Sequence, residues 1–256
     1  ASAAAITVNN TDGTCTANLT NRTNKRLTIN GNMIIAQRGT SSTDNGYATV
    51  DRFSVIKNGT DEAPTQAQVD VASGTTPYTS GFRKALKVTN GNQTSGAGGN
   101  DFIWIQQIIE AQDIATSGWN YTSSSSYVTL SFWVKSSVAQ EFKFYARTQD
   151  GTNKSYAMTT GSLSVDTWTK VTKTIPGHSD LQFDNDNGPG FEINLLPFLG
   201  TDRTDNSVTE DAWATFNSSA RTKDNTSTWY TTNDATLEIT GVQLEVGSVA
   251  TDFEHR

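Results

Sequence analysis

The sequence has little of what most enzyme chemistry needs. Its 256 residues include one cysteine, Cys15, two histidines, His178 and His255, and five prolines. A single thiol excludes an internal disulfide framework and the paired thiols of a zinc ribbon, so Cys15 reads as a free thiol. Neither histidine stands in a nucleophile–base pattern, and no Gly-x-Ser-x-Gly elbow surrounds any serine. Charged residues make up only 18% of the chain, and the 19 Lys and Arg are scattered against 26 Asp and Glu, for a net charge of -7. Nucleic acid needs clustered basic residues and is excluded as a partner on this count. No stretch approaches the roughly 20 apolar residues that span a bilayer, so no membrane insertion is expected. The opening Ala1-Ser2-Ala3-Ala4-Ala5 lacks the basic flank and apolar run of a signal peptide.

What is abundant is Ser, Thr, Asn, Gln and Gly, a neutral polar surface suited to short strands and turn-rich loops. The clearest strand is Tyr127 to Lys135, where Val128, Leu130, Phe132 and Val134 face one way and Thr129, Ser131, Trp133 and Lys135 the other. Phe142, Phe144 and Ala146 repeat the pattern, opposed by Lys143, Tyr145 and Arg147. These two segments are expected to be adjacent strands sharing one apolar face. Gln149-Asp150-Gly151-Thr152 is a hairpin signal. Further strands are expected at Ala67 to Val71, Lys84 to Val88, Asp101 to Ile109, Ser155 to Met158, Thr169 to Ile175 and Phe191 to Leu195. Glu110 to Ala115 reads as one or two helical turns that stop near Gly118. Near the end, Leu237 and Ile239 differ in parity from Val242, Leu244 and Val246, with Gly241 at the change. A bulge there keeps both halves on one core, and the strand reads as a central one. The expected fold is an all-β, jelly-roll-like antiparallel sandwich over residues 31–256, with residues 1–30 as a linker or the end of a fibre shaft.

The ending "ITGVQLEVGSVATDFEHR" resembles the last segment of many tailed-bacteriophage fibre and virion structural proteins. So do "NGNMIIAQRGTS", "YATVDRFSV" and "LSFWVKSS", in the same order, over roughly residues 31 to 256. The resemblance implies a carbohydrate-binding-module-like sandwich on a virion, in the fibre apparatus. It implies a homotrimer in contact with other virion proteins and with host-surface glycan. In such proteins more chain often follows the "FEHR" segment.

Candidate chemistry is sparse. Asp184-Asn185-Asp186-Asn187-Gly188 has alternating oxygen ligands, as half a calcium loop would, but the full spacing fails at Gly188 and Leu195, and it reads as a solvated turn. No cofactor is expected. In similar sandwiches a structural calcium can sit near the first and last strands, which here would draw on Asn32 and Glu245, although the sequence does not specify such a site. Aromatic residues carry the functional signal, because sugar rings present C–H faces that stack on Trp and Tyr. Trp213, Trp229 and Tyr230 stand in a polar region suited to a loop-borne glycan site, and Trp133 and Tyr145 on a polar strand face. The same rings can equally plug the core or meet another subunit, and for Trp133 a covered contact is the expectation. The function expected is host recognition by binding glycan without cleaving it. The alternatives are a structural head fibre or decoration protein of the capsid, and an enzyme acting on polysaccharide.

Overall fold

The computed structural model describes residues 26–255 and, before them, the strand pair β1 (Thr7–Val8) and β2 (Cys15–Thr16). The other residues before Arg26, expected to be a linker or the end of a fibre shaft, and the Cys15 side chain lie outside the described residues. Twelve further strands follow: β3 (Ser41–Ser42), β4 (Ser54–Asn58), β5 (Thr65–Asp70), β6 (Lys84–Thr89), β7 (Phe102–Glu110), β8 (Tyr127–Ser136), β9 (Glu141–Thr148), β10 (Lys154–Ser162), β11 (Thr169–Pro176), β12 (Pro189–Leu199), β13 (Trp213–Thr215) and β14 (Thr236–Val246). Three short helices, α1 (Thr76–Thr79), α2 (Ala111–Ala115) and α3 (Thr228–Thr231), sit in the connections.

The strands form two six-stranded antiparallel sheets, β13-β10-β9-β12-β7-β4 and β11-β8-β14-β6-β5-β3. This is the expected jelly-roll-like β-sandwich. One core fills the space between the sheets. From the second sheet come Val128, Leu130, Phe132, Val134, Leu86, Val88, Leu237, Ile239, Val242 and Leu244; from the first, Phe142, Phe144, Ile103, Ile105, Phe191 and Leu195. Each such side chain contributes about 1.5–3 kcal/mol by leaving water.

β14 is central, with β8 on one side and β6 on the other. Its pairing with β8 slips between Thr240 and Gln243, and Gly241 takes φ +65° in the slip, so both apolar sets face the core. Beyond the bulge β6 no longer reaches. Leu27 donates its backbone N–H to the Leu244 carbonyl at 2.8 Å, and Val242 donates to Gly31 at 2.9 Å. The sandwich thus takes in the chain from Arg26, a few residues before the boundary read at residue 31.

One expectation is corrected. β8 and β9 both turn their apolar residues inward, but they do not neighbour each other: β9 lies in the first sheet and β8 in the second. Alternation fixes which side of a strand is buried and leaves open which sheet it joins. The 137–140 link crosses the sandwich instead of turning back. Ser136 holds it, its hydroxyl accepting the Val138 N–H at 3.0 Å, and Val138 packs on the core. Phe132 and Phe144 therefore meet across the interior, edge to face, with ring centroids 5.4 Å apart. Trp133 and Tyr145 end up on opposite outer faces.

Candidate functional site

The alternation that buries Phe132 turns Trp133 onto the outer face of the second sheet, where its partners are Lys170 on β11 and Thr240 on β14. The bulge has a second effect here. A Cβ on Gly241 would stand 2.7 Å from the Phe82 ring, so the missing side chain is what lets that ring lie over β14. Phe82 in turn meets Phe253 edge to face, centroids 4.8 Å apart, and His255 at 5.0 Å. The tail crosses the sheet as an ordered strap.

The strap is held by its backbone as much as by its rings. The buried Glu245 carboxylate accepts the Thr251 N–H at 2.8 Å and the Thr251 hydroxyl at 2.7 Å. Glu254 donates its N–H to Gln243 at 2.9 Å. The Arg26 guanidinium donates to the Glu254 carbonyl at 3.0 Å and stands 5.2 Å from the Phe253 ring centre. His255 Nε2 lies 3.0 Å from the Ser80 carbonyl, so the proton sits on Nε2. Between strap, α1 and strands lies a cavity of about 490 Å³. Trp133 and Ser131 belong to its floor, and Thr79, Ser80, Lys170 and Asp252 to its walls.

The other aromatics expected at a site are placed elsewhere. Trp229 and Tyr230 are fully buried, a correction to their reading as loop rings facing solvent. α3 drops both into the open end of the core, where Tyr230 stacks on Phe198 at 4.2 Å and Trp229 meets Phe142 at 6.4 Å. The Asn90 amide clamps the helix from outside, donating to the Trp229, Tyr230 and Thr232 carbonyls. A ring with no exposed surface cannot stack on a sugar. Tyr145 is buried too, beneath Phe216 and Arg221 on the outer face of the first sheet; burial pushes its phenol up, with the Arg221 charge opposing. Trp213 is half-buried at the sheet edge, its indole donating to the Pro176 carbonyl at 2.7 Å and its ring against Tyr156. It lines a separate cavity of about 300 Å³. Of the five, Trp133 alone lines the cavity under the strap.

No family model and no curated protein matches the sequence. Among solved structures, the chain is similar to the enzymatically active domain of tailspike protein 4 of bacteriophage CBA120, with 12% identity over 87% of this chain and a TM-score of 0.44. It spans 22% of that tailspike chain. It is also similar to the N-terminal cellulose-binding domain of Cellulomonas fimi β-1,4-glucanase C, with 12% identity, 85% of this chain, 99% of that one and a TM-score of 0.38. A third is the family 11 carbohydrate-binding module of a Clostridium thermocellum cellulase, with 12% identity, 81% of this chain, 95% of that one and a TM-score of 0.35.

Acidic side chains are mostly spoken for. Asp186 accepts the Gly188 N–H at 2.9 Å and Asp150, from the β9–β10 connection, accepts the Asp184 N–H at 3.1 Å, so the Asp184–Gly188 stretch is a turn bonded to itself and to Asp150. Burial holds the Asp150 carboxyl above the usual range, with Asp184 and Asp186 adding to it. Among the described residues, no group of three or more His, Cys, Asp and Glu is placed to hold a metal ion. Glu245, named for a calcium in similar sandwiches, spends its oxygens on Thr251 and Gln243. Sequence reasoning placed Ser131 on the Trp133 face but missed Phe82, Lys170 and Asp252. The one available signal was Gly241, because a bulge in a central strand leaves room on both faces.

Proposed function

We propose that this chain is the glycan-binding sandwich of a tailed-phage fibre, and that it holds host-surface glycan in the Trp133 cavity without cleaving it. The observation that carries the reading is a partly buried indole lining a cavity of mixed aromatic and polar character that the strap completes. At about 490 Å³ the cavity falls in the range of small-molecule sites, about 300–1,000 Å³. A sugar ring laid on Trp133 presents its C–H face to the indole, and Ser131, Lys170 and Asp252 then read its hydroxyls as donors and acceptors. Asp252 is the single carboxylate among the described residues lining the cavity, whereas glycoside hydrolysis uses two carboxylates that flank the bond. The four segments similar to phage fibre and virion proteins support a place on the virion.

The test is Trp133→Ala, measured on a glycan array, by adsorption to host cells and by thermal melting. Lost binding at an unchanged melting temperature is the expected result. Full adsorption by the variant sinks the site. Release of reducing sugar from envelope polysaccharide by the unaltered chain would replace binding with cleavage.

A further inference from the structure

The opposite face of the sandwich carries a second cavity, of about 520 Å³, with no residue in common with the first. Ile108 forms part of it, turned outward from β7 between the buried Gln107 and Ile109. Beside Ile108 stands Tyr47, 40% exposed. Gly46 ties this segment to the edge of the sheet by donating to the Val55 carbonyl at 2.8 Å. An exposed aromatic ring and an aliphatic side chain at one cleft make an apolar platform.

The lining charges sum to zero, Arg38 and Arg52 against Asp51 and Glu110, but only Arg52 among them is left without a described partner. Asp51 is engaged by Arg38 at 3.4 Å and by the Gln37 N–H at 3.3 Å. Glu110 accepts the Gln112 amide at 2.8 Å. Arg52 also lines the cleft, is exposed, and makes no hydrogen bond or ion pair with a described residue. Its backbone is unusual as well. Arg52 takes φ +70°, a left-handed conformation that costs an L side chain energy and would suit glycine. The turn is locked in place: Val50 and Phe53 on either side are buried, and Phe53 donates to the Val50 carbonyl at 3.2 Å. The Asn30 amide holds the Asp51 carbonyl at 2.8 Å. A guanidinium with no partner among the described residues, carried on a rigid turn whose left-handed backbone would suit glycine better, is held where it can aim positive charge.

We propose that this cleft is a second binding site, selective for an acidic saccharide whose ring lies on Tyr47 and Ile108 and whose carboxylate is received by Arg52. Arginine presents two parallel donors that match a carboxylate, and the fixed turn removes the cost of ordering them. Burial holds the Tyr47 phenol above the usual tyrosine range while the Arg52 charge pulls the other way, so it is a neutral donor at neutral pH, free to bond a sugar oxygen. The net charge of -7 repels polyanions from the molecule at large, so the attraction is confined to this turn. The inference stands independently of the Trp133 site.

The experiment is a calorimetric titration of the full chain with uronate-bearing and sialylated oligosaccharides and with their neutral counterparts. It is repeated on Arg52→Gln, Arg52→Gly and Trp133→Ala. On the Trp133→Ala chain, which lacks the first site, an acidic oligosaccharide binds saturably and its neutral counterpart does not, and Arg52→Gln weakens the acidic binding by roughly tenfold or more. Arg52→Gly, which removes the left-handed strain, melts no lower than the unaltered chain and still fails to bind. The proposal is overturned if no acidic oligosaccharide binds, if Arg52→Gln binds as tightly as before, or if Trp133→Ala abolishes the binding.

Discussion

Trp133 sits between Phe132 and Val134 on an apolar strand and Trp229 in a serine- and threonine-rich stretch, so their immediate neighbours alone point to the wrong one as core. Trp229 is fully buried against Phe142, and its backbone N–H donates to Gln140 at 2.8 Å. Trp229→Ala opens a hole of indole size in the core and is expected to cost about 3–5 kcal/mol, read from a denaturant midpoint. A shift below about 1 kcal/mol would mean that the end of the core is not packed as described. Gly241 is decisive for a different reason. At φ +65° with the Phe82 ring over it, it has no room for a methyl group on either conformational or steric grounds. Gly241→Ala is expected to lower stability by roughly 1–3 kcal/mol and to loosen the strap, seen as faster hydrogen exchange at Thr251 and Glu254. Protection of those amides at the original level would show that Phe82 does not anchor the tail.

At the scale of elements, the strands and their buried faces were legible and the pairing was not. Period-two alternation marked β8 and β9 and the parity change at Gly241 marked the bulge, because those signals are local. That β8 and β9 face each other across the core depends on a four-residue link, 137–140, whose crossing path nothing nearby encodes. The candidate site was legible only at Trp133. α3 spans four residues in a polar stretch, so no apolar periodicity announces that Trp229 and Tyr230 are core; contacts with Asn90, Phe142 and Phe198 decide it. The 94–95 loop is likewise fixed by a distant partner. Asp61 accepts the Ser95 N–H at 2.6 Å, and this bond, with those of the Ser95 and Thr94 hydroxyls, holds its carboxyl below the usual range. A carboxylate depressed in the folded state adds stability above its unfolded pKa and loses it as pH falls through the folded value. The Ser95 amide should therefore stay protected near neutrality and open as the solution is acidified from about pH 4 downward, while Asp61→Asn removes that dependence. An amide that opens equally at neutral and acid pH would show that Asp61 does not hold this loop.

At the scale of the whole molecule, the sandwich separates its faces: the strap and Trp133 on one sheet, Tyr47 and Arg52 on the other. Apart from Tyr47, Val165 and Val249, the exposed large hydrophobic side chains among the described residues stand together where the chain enters. Ile29, Ile34 and Ile35 are 45%, 53% and 48% exposed. The Asn30 side chain closes them into one loop, its amide donating to the Ile35 carbonyl at 2.9 Å while its oxygen accepts the Ile35 N–H at 3.0 Å. A rigid loop with three exposed isoleucines is a contact surface of the kind that subunits bury. With the resemblance to fibre proteins, it leads to the expectation that the chain is a trimer built around this loop. Light scattering at micromolar concentration should give three times the chain mass. Deleting residues 1–25 should leave the trimer intact, and replacing Ile34 and Ile35 by Ser should dissociate it without lowering the melting temperature of the monomer. A monomer mass for the full chain ends the trimer expectation. A trimer that survives both isoleucine replacements but falls apart on the deletion places its contacts in the first 25 residues instead.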